Sequence, residues 1–216
     1  MEGIAARYKR WRHTRGFGVH SPLAYRIVRD VVRPRRGYAY YGDAEINDTF
    51  EGRVDRLMWR HARMLLRLCA LLRPRSVYLP QGIHAAFPTA VTCAGSDVRQ
   101  VHRLSEAPAC DMICSTDTRV PIQLLKEYLQ IKSRVKSQES RVGGKAGGMM
   151  MDRRDDMRDE TGDGGRVRCV AMRRTPEGWA DELFDVLEEG LMLEGTDGLI
   201  VIARPGMQKV RYTLLF

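Results

Sequence analysis

His20 stands beside Ser21 and Pro22 in the stretch GFGVHSPLAYRIV, residues 16 to 28. An imidazole titrates near neutral pH, so His20 is a candidate general base or cofactor-contacting group. The sequence offers it no identifiable Asp or Glu partner, and a histidine that only hydrogen-bonds at a helix start is the competing reading. Five cysteines (Cys69, Cys93, Cys110, Cys114 and Cys169) carry the other reactive groups. Their odd number and irregular spacing point to reduced thiols. Cys110 and Cys114 are four apart, but no second ligand pair stands at zinc-site spacing, and no metal is expected. His84 and His102 read as surface or core histidines, and Met149 to Met151 as loop residues.

A different chemistry is electrostatic. The chain of 216 residues carries a formal charge of +9, and residues 1–36 hold ten Arg/Lys against Glu2 and Asp30, which is +8 of it. Tyr8, Trp11 and Phe17 stand between these charges. Such an arm can neutralise phosphates and stack on bases, which makes RNA or another polyanion a candidate partner. The competing reading is a solvated face, or one held by the body of the fold or a partner. No segment approaches the roughly 20 apolar residues of a membrane span. The opening MEGIAARYKRWRH lacks the apolar stretch of a secretory signal. With reduced thiols, this gives the expectation of a cytoplasmic protein that no membrane holds.

These groups need elements to position them. Ser21 is a good N-cap, and Pro22 falls at the first helical position, where its missing N–H costs nothing. Leu23, Ile27 and Val31, with Tyr25 and Val28, form the face that buries. Residues 53–72 repeat apolar side chains at helical spacing with Arg on the other face, and Arg73-Pro74 stops them. SVYLP (76–80), VRQVHRL (98–104), DMICS (111–115) and VRCVAM (167–172) are short strand candidates. IHAAFPTAVTCAG, despite Pro88, and VPIQLLKEYLQ (120–130) read as helices. Thr175 is the expected cap of a helix with Pro176 first, its buried side marked by Trp179, Leu183, Val186 and Leu187. The end, GLIVIARPGMQKVRYTLLF, reads as strand, Arg-Pro-Gly turn and strand, a C-terminal β-hairpin. Residues 131–168 hold seven glycines, no aromatic residue and dense mixed charge. They bury too little apolar surface to offset chain entropy and are expected to be a disordered insertion.

The expected architecture is α/β: a Rossmann-like, mostly parallel sheet with N-terminal helices and a C-terminal antiparallel hairpin. Residues 1–72 would form the basic arm and N-terminal helices, and 73–216 the α/β domain.

That order, with both ends of the chain, resembles the small class I S-adenosylmethionine-dependent methyltransferases of Bacteroidetes-type bacteria. Gly18, Val19, His20, Ser21, Pro22 and Leu23 match the family's Gly-x-His-Ser-Pro-Phe-like opening. Gln208, Lys209, Tyr212, Thr213, Leu214 and Phe216 match its Gln-Lys-x-x-Tyr-x-Leu-x-Phe-like closing strand. TPEGWADELFDVL resembles its late helix, and RSVYLPQGIHAAF occupies the place of its cofactor loop. The resemblance implies S-adenosylmethionine as cofactor and an unidentified methyl acceptor. It places the cofactor contacts at Gly82, Ser105, Glu106 and Asp117, with His20 as the catalytic candidate.

The middle departs from the family. The loop keeps one glycine, Gly82, and has Pro80 where flexibility is wanted. The family's acidic position falls at Ser105, with Glu106 one residue late. Only APAC separates that point from DMICS, where family members spend a helix, a strand and another helix that close over the adenine. Thr116, followed by Asp117, stands where the family tends to carry an Asp; a charge at a helix start is the competing reading for Asp117. The expectation is a degenerate cofactor site, with polyanion binding through the basic arm as the alternative function.

Overall fold

The computed structural model describes residues 4–16, 18–34, 56–116, 119–130, 167–173 and 175–215. The expected disordered insertion lies outside these residues except for its last two, Val167 and Arg168. Arg168 opens a strand.

Helix α1 spans Ile4–Thr14. Helix α2 starts at Pro22 and runs to Arg26, and a π-helical turn, Ile27–Val32, continues it. As the local chemistry predicts, the Ser21 hydroxyl accepts from the Ala24 N–H at 3.3 Å and Pro22 holds the first helical position. The Arg33 N–H then reaches back five residues to the Val28 carbonyl, 2.9 Å away. This wide turn suits the spacing of four between Leu23, Ile27 and Val31, which would drift off a stripe of period 3.6. Ile27, Val28 and Val31 are buried, while Tyr25 is 41% exposed and covers Gly16 instead. Replacing Ser21 by alanine is expected to lower the unfolding free energy by about 1 kcal/mol, the scale of a lost N-cap, in urea titration. His20→Ala is expected to leave it nearly unchanged, because the ring is exposed and only the backbone N–H of His20 is bonded, to the Tyr212 hydroxyl.

Helix α3, Arg56–Leu72, ends where the Arg73 backbone turns left-handed (φ +48) before Pro74. Strand β1 (Ser76–Tyr78), helix α4 (Ala86–Ala94) and strand β2 (Arg99–Val101) follow. Pro88 is tolerated because it sits in the first turn of α4, where backbone N–H groups have no helical acceptor. A 3-10 segment, Leu104–Ala109, leads into strand β3 (Met112–Ser115) and helix α5 (Ile122–Leu129). Strand β4 (Arg168–Arg173), helix α6 (Trp179–Val186) and strands β5 (Gly190–Glu194), β6 (Gly198–Ala203) and β7 (Val210–Thr213) complete the chain.

The strands form one sheet in the order β2-β1-β3-β4-β6-β5-β7. Every neighbouring pair is parallel except those involving β6, which runs antiparallel to both β4 and β5. The fold is therefore a mostly parallel, Rossmann-like α/β sheet with an antiparallel hairpin near its C-terminus. That hairpin is β5–β6, not the pairing of residues 198–203 with 210–213. Both edges of β6 are already taken by β4 and β5, so the Arg204-Pro205-Gly206 turn carries the chain past the start of β5. There the Arg204 N–H bonds to the Glu189 carbonyl at 3.2 Å and the Gly206 N–H to the Glu189 carboxylate at 2.6 Å. The chain then enters β7, parallel to β5.

Both faces of the sheet are covered. Met112, Cys114, Leu191, Leu193, Ile200 and Ile202 pack with α2, α3 and α4 on one side. Ile113, Val170, Met192, Leu199 and Val201 pack with α5 and α6 on the other. The strands read as continuous apolar runs for that reason.

Two sequence expectations are corrected. Thr175 does not cap α6, and Pro176 is not its first residue. The helix starts at Trp179 after Gly178, whose left-handed backbone (φ +84) makes the cap without a side chain. The arginines of α3 do not all face solvent either: Arg67 is only 6% exposed. Helix α3 is wedged between α2 and α4, with Ala62 and Leu66 against Ala86 and Ala90 on its second side, so two faces are buried rather than one.

Candidate functional site

The strand order reverses between β1 and β3: the chain runs outward from β1 to β2, then returns to β3 on the other side. In open parallel sheets the crevice at such a reversal, beyond the C-terminal strand ends, is where ligands bind. The loop after β1 meets its geometric demand there. The Ile83 N–H closes a turn onto the Pro80 carbonyl at 3.2 Å, with Gly82 third in the turn at φ +73. A side chain is strained in that conformation, so glycine is the natural occupant. His84 Nδ1 then accepts from the N–H of Ala86, the first residue of α4, at 3.2 Å. The Nδ1–H of His102, just beyond β2, donates to the Leu79 carbonyl at 3.0 Å and ties the second strand end to the first.

A basic side chain stands at the crevice. The Arg119 guanidinium donates to the Gln81 carbonyl at 2.7 Å and lies 3.3 Å from where a Cβ on Gly82 would be. The Arg119 guanidinium thus lies against the open side of the Gly82 turn. Nothing in the local sequence around Arg119 signals this, since its target is 38 residues earlier in the chain. Beside the crevice, beneath α3, His61, Phe87, Ser115 and Arg173 help line a cavity of about 20 Å³ at the ends of β3 and β4. That holds about one water-sized sphere, against the several hundred Å³ of a small-molecule site. His61, Arg67, Ser115 and Arg173 are the buried polar side chains of this region, and none was singled out from the sequence.

The residues implied by the resemblance do not converge. Gly82 is at the crevice. Ser105 is exposed on the 3-10 segment. The Glu106 carboxylate pairs with Arg99, the first residue of β2, at 3.0 Å, so it is drawn back along the strand rather than held at its end. Asp117 lies outside the described residues. His20 docks on β7, four strand positions from β3 in the sheet order, or roughly 19 Å at about 4.8 Å per strand. Among the described residues, Gly82 keeps the turn with the Arg119 guanidinium against it, and the Glu106 carboxylate is paired with Arg99.

Four of the five thiols are sealed in the core. None of the five is in a disulfide; Cys69, Cys110, Cys114 and Cys169 are buried. Burial pushes the Cys69 thiol up to about 12 and raises Cys110, Cys114 and Cys169 as well, which keeps them protonated and unreactive. Among the described residues, no group of three or more His, Cys, Asp or Glu is placed to hold a metal ion. Nor is any described helix long and apolar enough to cross a membrane.

The basic arm is built differently from the crevice. Helix α1 is fastened to the β7 edge through Thr14, whose hydroxyl oxygen accepts from the Leu215 N–H at 2.7 Å and whose O–H donates to the Arg10 carbonyl at 2.7 Å. The His13 ring meets Tyr212 edge-on, with centroids 5.6 Å apart. On the exposed side the Tyr8 and Trp11 rings stack at 5.7 Å and 22°, and the Arg15 guanidinium lies 4.4 Å over Trp11. Phe17 lies outside the described residues. No protein-family model, characterised protein or solved structure matches this chain.

Proposed function

We propose that this chain is a class I methyltransferase-like α/β protein whose donor crevice, over the Gly82 turn, is reduced and binds S-adenosylmethionine weakly. One observation carries the reading: the left-handed Gly82 turn leads from β1 into α4 at the reversal of strand order, the position at which doubly wound sheets open a nucleotide site. The resemblance of both chain ends to the methyltransferase family adds the identity of the donor. Methyl transfer requires donor sulfonium and acceptor in near-attack geometry. With Arg119 over the turn and Glu106 committed to Arg99, catalysis is at best residual. Hydrogen exchange with millimolar S-adenosylmethionine tests where the donor goes. Protection is expected at residues 79–84 and 102–106; protection confined elsewhere, or none, contradicts the reading.

A second reading, polyanion binding through residues 1–36, is favoured by the Tyr8–Trp11–Arg15 stack, which lies on the opposite edge of the sheet from the crevice. The two readings concern different surfaces and hold independently.

A further inference from the structure

We propose that the exposed side of α1 is a docking site for single-stranded nucleic acid, with an unpaired base added to the Tyr8 end of the Tyr8–Trp11–Arg15 stack and phosphates seated on Lys9 and Arg12. The proposal rests on the polyanion reading and goes beyond it by requiring base stacking.

Three observations carry it. First, Tyr8 and Trp11 are 59% and 37% exposed, although side chains of this size and apolarity are rarely left open together. They are one helical turn apart with ring planes 22° from parallel, and with Arg15 over Trp11 they make a continuous stack. A base added to such a stack gains aromatic and cation–π contact regardless of its identity.

Second, a cavity of about 300 Å³ opens beside the stack, lined by Tyr8, Lys9, Arg12, His13 and Gly18. This is the low end of ligand-sized spaces. It brings two cationic side chains against the edge of the first ring. Gly18 can leave its side of the groove open because its backbone, at φ +75, carries no side chain.

Third, the platform is fixed in advance. The opposite side of α1 is held by Thr14 on Leu215 and by His13 against Tyr212, so little order is lost when a strand docks.

The pattern argues against the other polyanions. A helix lying on an anionic membrane presents a broad apolar face. The exposed residues of α1 are instead Arg7, Lys9 and Arg12 interleaved with the two aromatics, plus Ala5 and Ala6. A duplex keeps its bases paired and stacked inside, and would leave the two rings without a partner.

The experiment compares ligands and variants of the full chain at several salt concentrations. Fluorescence titration uses a single-stranded RNA 12-mer, a DNA 12-mer of the same sequence, the corresponding RNA duplex, heparin, and vesicles containing phosphatidylserine. Both single strands are expected to bind and to quench tryptophan emission, with the Trp11→Phe variant assigning the quench. A logarithmic salt slope of about −1.4 would reflect the two phosphates neutralised by Lys9 and Arg12. Trp11→Ala and Tyr8→Ala should each weaken binding about tenfold, within the range of one lost base stack. Both residues are exposed, and unchanged thermal midpoints will show that the fold survives. Binding by one single strand alone still supports the proposal and identifies its source. Duplex, heparin or vesicle binding that equals single-strand binding and is indifferent to Trp11→Ala overturns the stacking site; with duplex or heparin the polyanion reading stands. Absence of binding to every ligand ends both.

Discussion

Gly190→Ala is expected to lose about 4 kcal/mol or more of unfolding free energy and to accumulate as insoluble or unfolded chain. Gly190 opens β5 at φ +145, a conformation that side chains rarely adopt, and pairs with Ala203 of β6. A Cβ there would stand 2.0 Å from the Ile202 carbonyl oxygen and 3.0 Å from the Ala203 Cα. Both obstacles are backbone atoms of the neighbouring strand, so no side chain can rotate away. Relief requires β5 and β6 to part inside the sheet, where Leu191, Leu193, Ile200 and Ile202 are fully buried. A loss of that size is a large share of the 5–15 kcal/mol that stabilises a typical domain. Gly178→Ala and Gly206→Ala are the controls. Each also has positive φ, but nothing lies within 4 Å of the added methyl. They should cost only about 1–2 kcal/mol, the strain of the left-handed backbone alone. Urea unfolding of the three variants separates clash from strain; a Gly190→Ala midpoint equal to the controls would contradict the β5–β6 register.

What the sequence made legible was chiefly local. Ser21 and Pro22 announce the start of α2 because a cap and its helix lie within four residues of each other. Arg73-Pro74 announces the end of α3 for the same reason, and the apolar runs of β1, β3 and β4 are visible because each strand is buried on both faces. The misses concern choices made at long range. Residues 198–203 and 210–213 look like the arms of a hairpin, but β5, supplied by residues 190–194, takes the edge of β6 that β7 would have used. Thr175 and Pro176 look like a cap, yet Gly178 three residues on reaches the left-handed conformation that no spacing rule exposes. Arg67 reads as solvent-facing until α4 closes over the second side of α3.

The same distinction governs the candidate sites. The basic-aromatic composition of the arm was plain in the sequence, while the stack of Tyr8, Trp11 and Arg15 required α1 to be helical. Gly82 could be singled out as the one glycine of its loop. The partners that decide its fate, Arg119 over the turn and Arg99 holding Glu106, come from elsewhere in the chain and could only be read from the fold.

The central claim is that the donor crevice exists at the Gly82 turn but has a cation against it, and it is tested most directly by calorimetric titration of S-adenosylmethionine into the native protein and into Arg119→Ala. Arg119 is exposed and bonds to a loop carbonyl, so its truncation should leave the fold intact. Its removal clears the guanidinium from beside the Gly82 turn, where the donor would lie. Dissociation constants of about 1 mM or weaker are expected for the native protein, with at least a tenfold gain in Arg119→Ala. Micromolar binding by the native protein, or an affinity that Arg119→Ala leaves unchanged, would contradict the account.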